Sequence, residues 1–246
     1  MKRGAFLAAA ALAAAPAFAA DTVARVSAAS EQISNGSPDW REVGAGLQFR
    51  FAPRQVLDLS AADVHRFGLH DSQFAASLSL PLAPSLTATV DANTSPTHQV
   101  LARHAVGAAL QYEAAPGWLL HGGARTTKYD SATVNGLQFA LEHYFSSYSV
   151  LLGWRPTRAF GETAHGLELR TSYYYGERNS LGLIAAGGQE AASVPGGVVL
   201  TDVRSLALVG RHWIAPRWAL AYGASYARQG DLYTRKGINA GLQYAF

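Results

Sequence analysis

The sequence predicts an all-β fold: a closed, antiparallel transmembrane β-barrel of about fourteen strands, with twelve as the alternative count. Three observations lead there. Apolar side chains recur at every second position in runs of about 9–12 residues, the length a tilted strand needs to cross a bilayer. The connectors alternate between short turns and more varied, longer segments, which is how outer-membrane barrels are built. Aromatic residues gather beside the short turns, where a membrane interface would hold them.

The closing run, Lys236 to Phe246, shows the period most clearly. Ile238, Ala240, Leu242, Tyr244 and Phe246 share one face, and Gly237, Asn239, Gly241 and Gln243 share the other. The same alternation runs through Val43 to Phe51, Phe74 to Leu82, Leu167 to Tyr175 and Trp218 to Tyr226. Successive strand side chains point to opposite faces, so each run has one apolar face and one small or polar face. A soluble β-sandwich also alternates, but its strands average about five or six residues. The runs here are nearly twice as long. Thr22 to Ser34 alternates poorly, and dropping it with one other blurred run gives the count of twelve.

The short connectors are Ala52 to Arg54, Leu82 to Ser85, Ala114 to Gly117, Ser146–Ser147, Gly176 to Asn179 and Ala215 to Arg217. The longer set is Asn35 to Pro38, Gly68 to Asp71, Asn93 to Val100, Tyr129 to Ala132, Pro156 to Thr163, Gly187 to Thr201 and Gln229 to Arg235. Gly187 to Thr201 is expected to be the longest loop, exposed outside the cell or folded into the lumen. All thirteen connectors together separate fourteen strands, an even count as bacterial barrels usually have.

Composition excludes other classes. The chain has 246 residues and no Cys, which removes disulfide scaffolds, thiolate metal sites and cysteine nucleophiles. Mean hydropathy is +0.02, yet no stretch beyond the N-terminus approaches the ~18 apolar residues of a membrane helix. Hydrophobic residues at 49% and aromatics at 11% argue against disorder. The net charge of +3 includes Lys2 and Arg3. No basic cluster accompanies it, so nucleic acid is not an expected partner.

The N-terminus reads as an export signal over residues 1–19, with the barrel domain following over 20–246. Lys2 and Arg3 form a charged start, Ala5 to Ala15 a short apolar run, and Ala17-Phe18-Ala19 a small-x-small cleavage pattern. No Cys follows the cut, which excludes a lipoprotein. The destination is the outer membrane of a Gram-negative bacterium.

Phe49, Phe51, Tyr112, Trp118, Tyr144, Phe145, Tyr173, Tyr175, Trp213, Trp218, Tyr244 and Phe246 lie toward the short turns and form the expected periplasmic girdle. Trp40, Phe67, Tyr129, Trp154 and Tyr226 are candidates for a thinner outer one. The polar face is the expected lumen, lined by Arg50, His121, Arg125, Glu142, Glu168, Arg170 and Tyr174, with Gln48, Gln138, Asn239 and Gln243. A hairpin turning between Ser131 and Ala132 sets Arg125 opposite Gln138, His121 opposite Glu142 and Ala124 beside Phe139. Charges inside a barrel need partners, so these acids and bases are expected to form structural ladders. A barrel this wide exceeds what its side chains fill, so the lumen is expected to be wet or plugged by loops.

No spacing singles out a nucleophile, and triads are recognised by geometry rather than order. His65 and Asp71 flank one loop with His70 between them and are the best local Asp–His candidates. No spaced His/Asp cluster points to a metal, and no cofactor is expected. Gly187-Gly188 and Gly196-Gly197 lack the strand–helix context of a phosphate cradle.

Several phrases taken in order resemble the YaiO family of outer-membrane β-barrel proteins. They are Asn35-Gly36 followed by Asp39-Trp40, Arg66-Phe67-Gly68 with Asp71, Arg125 with Tyr129, Glu142-x-Tyr144-Phe145, Tyr173-Tyr174-Tyr175, Gly188 with Glu190, Gly210-x-His212-Trp213, and Arg235 with the closing strand. The resemblance implies a barrel in the outer membrane and, through some relatives, an association with envelope polysaccharide systems. The expected role is structural, channel-forming or export-accessory. The alternative is a barrel enzyme of hydrolase or acyl-transfer type. Expected partners are outer-membrane lipid and lipopolysaccharide, and the barrel assembly machinery during insertion.

Overall fold

A computed structural model describes residues 21–194 and 197–246; the side chains of residues 193–194 and 197–198 are not described, and the expected export segment lies outside the described residues. Fourteen strands follow one another: β1 (Asp21–Ile33), β2 (Trp40–Ala52), β3 (Gln55–Arg66), β4 (Leu69–Ala83), β5 (Leu86–Thr94), β6 (His104–Ala115), β7 (Trp118–Lys128), β8 (Thr133–Phe145), β9 (Tyr148–Ala159), β10 (Glu162–Tyr175), β11 (Asn179–Val194), β12 (Gly197–Ala215), β13 (Trp218–Gln229) and β14 (Tyr233–Ala245). Each pairs antiparallel with its neighbours in sequence, and β1 pairs with β14 to close the barrel. Closure leaves no strand edge unpaired, which is what a sheet in lipid requires.

The poorly alternating first run is a full strand. β1 pairs with β14 from Val23↔Ala245 to Ile33↔Arg235 and with β2 from Asp21↔Arg50 to Glu31↔Trp40. Its pattern is faint because its outward positions hold small or polar residues: Ala24, Ala28 and Ser30 beside Val26. Backbone pairing on both sides holds it where side-chain hydrophobicity alone would not.

The outside of the barrel is apolar. Val43 is 62% exposed, Ile238 69%, Val106 59% and Leu152 58%, with Leu59, Leu120, Leu137, Leu183, Leu206 and Leu220 continuing the band. A water-soluble chain does not leave such a belt uncovered. Lipid covers it here, and a sandwich is excluded because these faces pack against no second sheet.

Beside the short turns the outward rings stack into a belt. Trp118 lies on His143 at 3.9 Å, His143 on Phe145 at 5.5 Å, Phe145 on Tyr148 at 5.9 Å and Tyr148 on Tyr173 at 5.0 Å. Tyr173, Tyr175 and His212 extend it. Tyr144 and Trp213 do not belong to it. Each sits one position from an outward residue, so each points inward: Tyr144 stacks on inward Tyr174, and Trp213 takes the guanidinium of Arg178 over its ring at 3.7 Å.

The longer connectors differ most from expectation. Most of Gly187 to Thr201 is strand: β11 runs on to Val194 and β12 starts at Gly197, pairing from Gly187↔Arg204 to Val194↔Gly197, with residues 195–196 outside the described residues. Its Gly and Ala residues resemble loop composition, but the valines and leucine of β12 opposite them supply the strand propensity. Gly68 to Asp71 and Pro156 to Thr163 likewise contract to two-residue turns, Phe67–Gly68 and Phe160–Gly161. Both central residues of each turn have positive φ (54° and 79°; 57° and 86°). That geometry matches the twist of the flanking strands. The segment that enters the barrel mouth is residues 95–103, between β5 and β6.

Candidate functional site

Alternation sends one face of every strand toward the barrel axis. A cavity of about 380 Å³ shows which face, because Trp40 and Glu42 of β2, Arg66 of β3, Arg125 of β7, Glu190 of β11 and Arg235 of β14 all line it. Only the interior brings those strands together. The cavity lies at the end of the barrel opposite the termini, beneath the longer connectors.

The wall below it is laced with ion pairs. Arg25 of β1 reaches Asp58 of β3 with two contacts of 2.5 and 2.6 Å. Arg125 of β7 pairs with Asp91 of β5. Both pairs skip a strand, and a glycine makes each crossing possible. A Cβ at Gly46 of β2 would lie 2.8 Å from the Arg25 guanidinium, and one at Gly107 of β6 would lie 2.6 Å from the Asp91 carboxylate. His121 Nε2 lies 3.2 Å from Glu142 Oε2. Glu168 is 7% exposed and accepts from Arg155 at 2.7 Å and Arg170 at 3.0 Å. The Tyr174 hydroxyl lies 3.4 Å from Ser149 Oγ. Arg50 sits near the periplasmic rim, in register with Asp21 and Val56, where β2 bulges before Ala52.

The expected register of the β7–β8 hairpin is corrected. Arg125 pairs with Gly136, His121 with Ala140 and Ala124 with Leu137. Tyr129 N–H donates to Ala132 C=O at 2.8 Å, which centres the turn on Asp130–Ser131. Moving a turn centre by one residue slips the ladder by two, so each side chain keeps its face. Glu142 is therefore a diagonal rather than a direct neighbour of His121. Asp130 is also 3.2 Å from His98 Nε2 of the infolded loop, a contact the local sequence does not reveal.

At the mouth, Trp40, Phe67 and Tyr129 belong to the interior rather than to an outer girdle. Trp40 is 7% exposed. Its ring meets Phe67 at 5.1 Å and Tyr233 at 6.0 Å, with the guanidinium groups of Arg66 and Arg235 each 4.7 Å from its centroid. Arg235 pairs with Glu31 at 3.0 Å and Arg66 with Glu42 at 3.8 Å. Burial pushes the Tyr129 phenol up against the opposing pull of Arg66, so its hydroxyl stays a neutral donor.

The infolded loop is latched by one carboxylate. Asp71 is fully buried and accepts the backbone N–H groups of Gln99 at 2.9 Å and of Val100 and Leu101 at 2.8 Å each. Val100 and Leu101 pack on Val64, with Phe67 and Leu69 against the cluster. Asp71 therefore does not pair with His65 or His70. Those two rings face outward with Asp63, while Asp71, next in sequence to His70, faces in.

Among the described residues, four buried polar atoms in the cavity wall lack a protein partner: Trp40 Nε1, Asn93 Oδ1, Gln229 Nε2 and Arg235 Nε. Three donate and one accepts. Left dry, each would cost on the order of 1–3 kcal/mol, so water or a solute must satisfy them. Sequence reasoning missed most of this set. Asp58, Asp91 and Glu31 give no signal beyond lying on the polar face of a run, and Asp71 stands out only as a candidate partner of His65 and His70 and within a family phrase.

A family profile described as the YaiO membrane beta barrel domain matches residues 22–192. No curated protein matches the chain. Among solved structures, the outer membrane protein Omp33 of Acinetobacter baumannii aligns with a TM-score of 0.57 at 14% identity, over 92% of this chain and 99% of that one. A bacterial polysaccharide outer membrane secretin aligns at 0.57 and 11% identity, over 92% and 98%. The CymD monoaromatic hydrocarbon channel aligns at 0.56 and 11% identity, over 92% and 87%. At these identities the likeness is one of fold.

Proposed function

The chain belongs to the YaiO family of membrane β-barrels, and from that premise we propose that it is a channel for small polar solutes with a recognition site at its outer mouth. The carrying observation is the 380 Å³ interior cavity whose wall presents unpartnered Trp, Asn, Gln and Arg polar atoms. Rings beside amides and hydroxyls suit a polyhydroxylated solute, because sugar C–H faces pack on rings while hydroxyls both donate and accept. The guanidinium groups of Arg66, Arg125 and Arg235 are each paired with a carboxylate of the wall, and of these Arg66, whose contact with Glu42 is the longest at 3.8 Å, is the one best placed to turn to an acidic group on the solute. Fragments of an envelope polysaccharide have that chemistry. The residues that carry the family resemblance support this reading, since Trp40, Arg66, Arg125, Tyr129, Glu190 and Arg235 come from five separate phrases and line one cavity. The outer face would meet lipid and lipopolysaccharide, and the aromatic C-terminal strand would be handed to the assembly machinery.

The test is swelling of liposomes loaded with the refolded protein, using sugars of increasing size with and without a carboxylate. Small sugars should enter, and a uronic acid should enter faster than its neutral counterpart of equal size. Arg66→Gln should narrow that difference. Liposomes that stay impermeable to every sugar, with no conductance in planar bilayers, would leave a structural role in its place.

A further inference from the structure

The β3–β4 hairpin carries a second site on its outer face, remote from the cavity. Asp63, His65 and His70 each offer one ligand atom there, and these atoms lie within 4.8 Å of one another. His70 Nε2 is 2.6 Å from Asp63 Oδ2, and His65 Nδ1 is 3.2 Å from Asp63 Oδ1. The two imidazole rings lie 4.6 Å apart, because His65 and His70 are a direct cross-strand pair. The Phe67–Gly68 turn fixes that pair, and alternation puts Asp63 on the same face two residues below His65. Sequence spacing hides the arrangement, since the three residues meet only after the hairpin folds.

We infer that Asp63, His65 and His70 form a surface site for one zinc-class divalent cation at the extracellular rim of the barrel. Two imidazoles and one carboxylate are a nitrogen-rich set that suits zinc, with the fourth position left open. Metal–ligand bonds of about 2.0–2.1 Å in a tetrahedron place donor atoms roughly 3.4 Å apart. The two Asp63 spacings, 2.6 and 3.2 Å, lie just below that value, and all three ligand atoms fall within 4.8 Å. The side chains are about half exposed, at 54%, 53% and 47% for His65, Asp63 and His70. An ion can therefore enter, and small rotamer changes complete the shell. The strands beneath are rigid, so little ordering is needed on binding. The inference stands apart from the channel reading, because these residues face away from the lumen.

The test uses untagged protein refolded in detergent and titrated with zinc chloride by calorimetry. One saturable equivalent is expected. Loss of a mere outer partner of a metal ligand costs about tenfold in affinity, so His70→Ala and His65→Gln should each weaken binding by at least that factor. Asp63→Asn should weaken it too. His104→Ala, on an outward position of another hairpin, should leave it unchanged. Heat-modifiability on a gel verifies that each variant is folded. Absence of saturable binding, wild-type affinity retained in both His70→Ala and His65→Gln, or equally tight binding of magnesium would overturn the assignment. The last result would mean that carboxylates alone attract cations there.

Discussion

Asp71→Ala should release the loop that fills the barrel mouth. The wild-type carboxylate accepts three backbone N–H groups at 2.8–2.9 Å from a fully buried position. Hydrogen bonds to a charged group contribute roughly 1.5–3 kcal/mol each, though three to one acceptor do not add fully. A latch of about 3–5 kcal/mol results. At 1.4 kcal/mol per factor of ten, even the lower end holds the detached loop below about one part in a hundred. Without the carboxylate, the buried Leu101 amide loses the acceptor it has at 2.8 Å, and the loop replaces it only by moving toward water. The remaining ties, such as Gln99 Nε2 to His70 C=O at 3.0 Å and Ser72 N–H to Thr97 Oγ1 at 3.2 Å, keep it attached but loose. Trypsin reads the change directly. Arg103 is exposed, yet its carbonyl is held by Ser95 N–H and Thr94 Oγ1 at 3.0 Å each, which keeps the bond out of a protease cleft. Cleavage after Arg103 should rise about tenfold or more in Asp71→Ala, with larger single-channel conductance, since opening limits proteolysis. Asp71→Asn, which keeps one acceptor oxygen, should fall between. Equal cleavage and conductance in wild type and Asp71→Ala would refute the latch.

Further outcomes follow from the same structure. Leu220→Arg puts a charge on the lipid face and should cost roughly 2–4 kcal/mol near the midplane and less toward an interface. Ser225→Arg, on the lumen face, should cost much less; urea midpoints in detergent rank the two, and the reverse order would mean the faces are swapped. Gly107→Val forces a Cβ to within 2.6 Å of the Asp91 carboxylate. It should cost about 1–3 kcal/mol, with a smaller penalty in an Asp91→Ala background; equal penalties in both backgrounds would show that the crossing is not the cause. Glu168→Gln leaves Arg155 and Arg170 without their shared counter-charge. The reversal potential under a salt gradient should shift toward anions, and no shift would place Glu168 away from the ion path. Removing Phe246 deletes the N–H that donates to Thr22 C=O at 3.0 Å across the barrel seam. Less protein should then reach the outer membrane, and unchanged levels in fractionated envelopes would rule this out.

The sequence by itself determined the period and the fold class, and it favoured fourteen strands over twelve. Those are local properties: alternation is written residue by residue, whereas the faint first run becomes a strand only through its pairing with β14 and β2. Tertiary structure decided the rest. Whether Gly187 to Thr201 loops or pairs depends on what lies opposite it, and β12 supplies the partner. Whether Tyr144 and Trp213 join the girdle depends on which parity faces the axis, and closure sets that for every strand at once. Arg25 meets Asp58 and Asp91 meets Arg125 across an intervening strand, over a glycine that carries no signal in one dimension. Asp71 and His70 are neighbours in sequence, yet one latches a loop inside and the other meets Asp63 outside. A strand sends adjacent residues in opposite directions, and only the closed barrel says which of those directions holds water and which holds lipid.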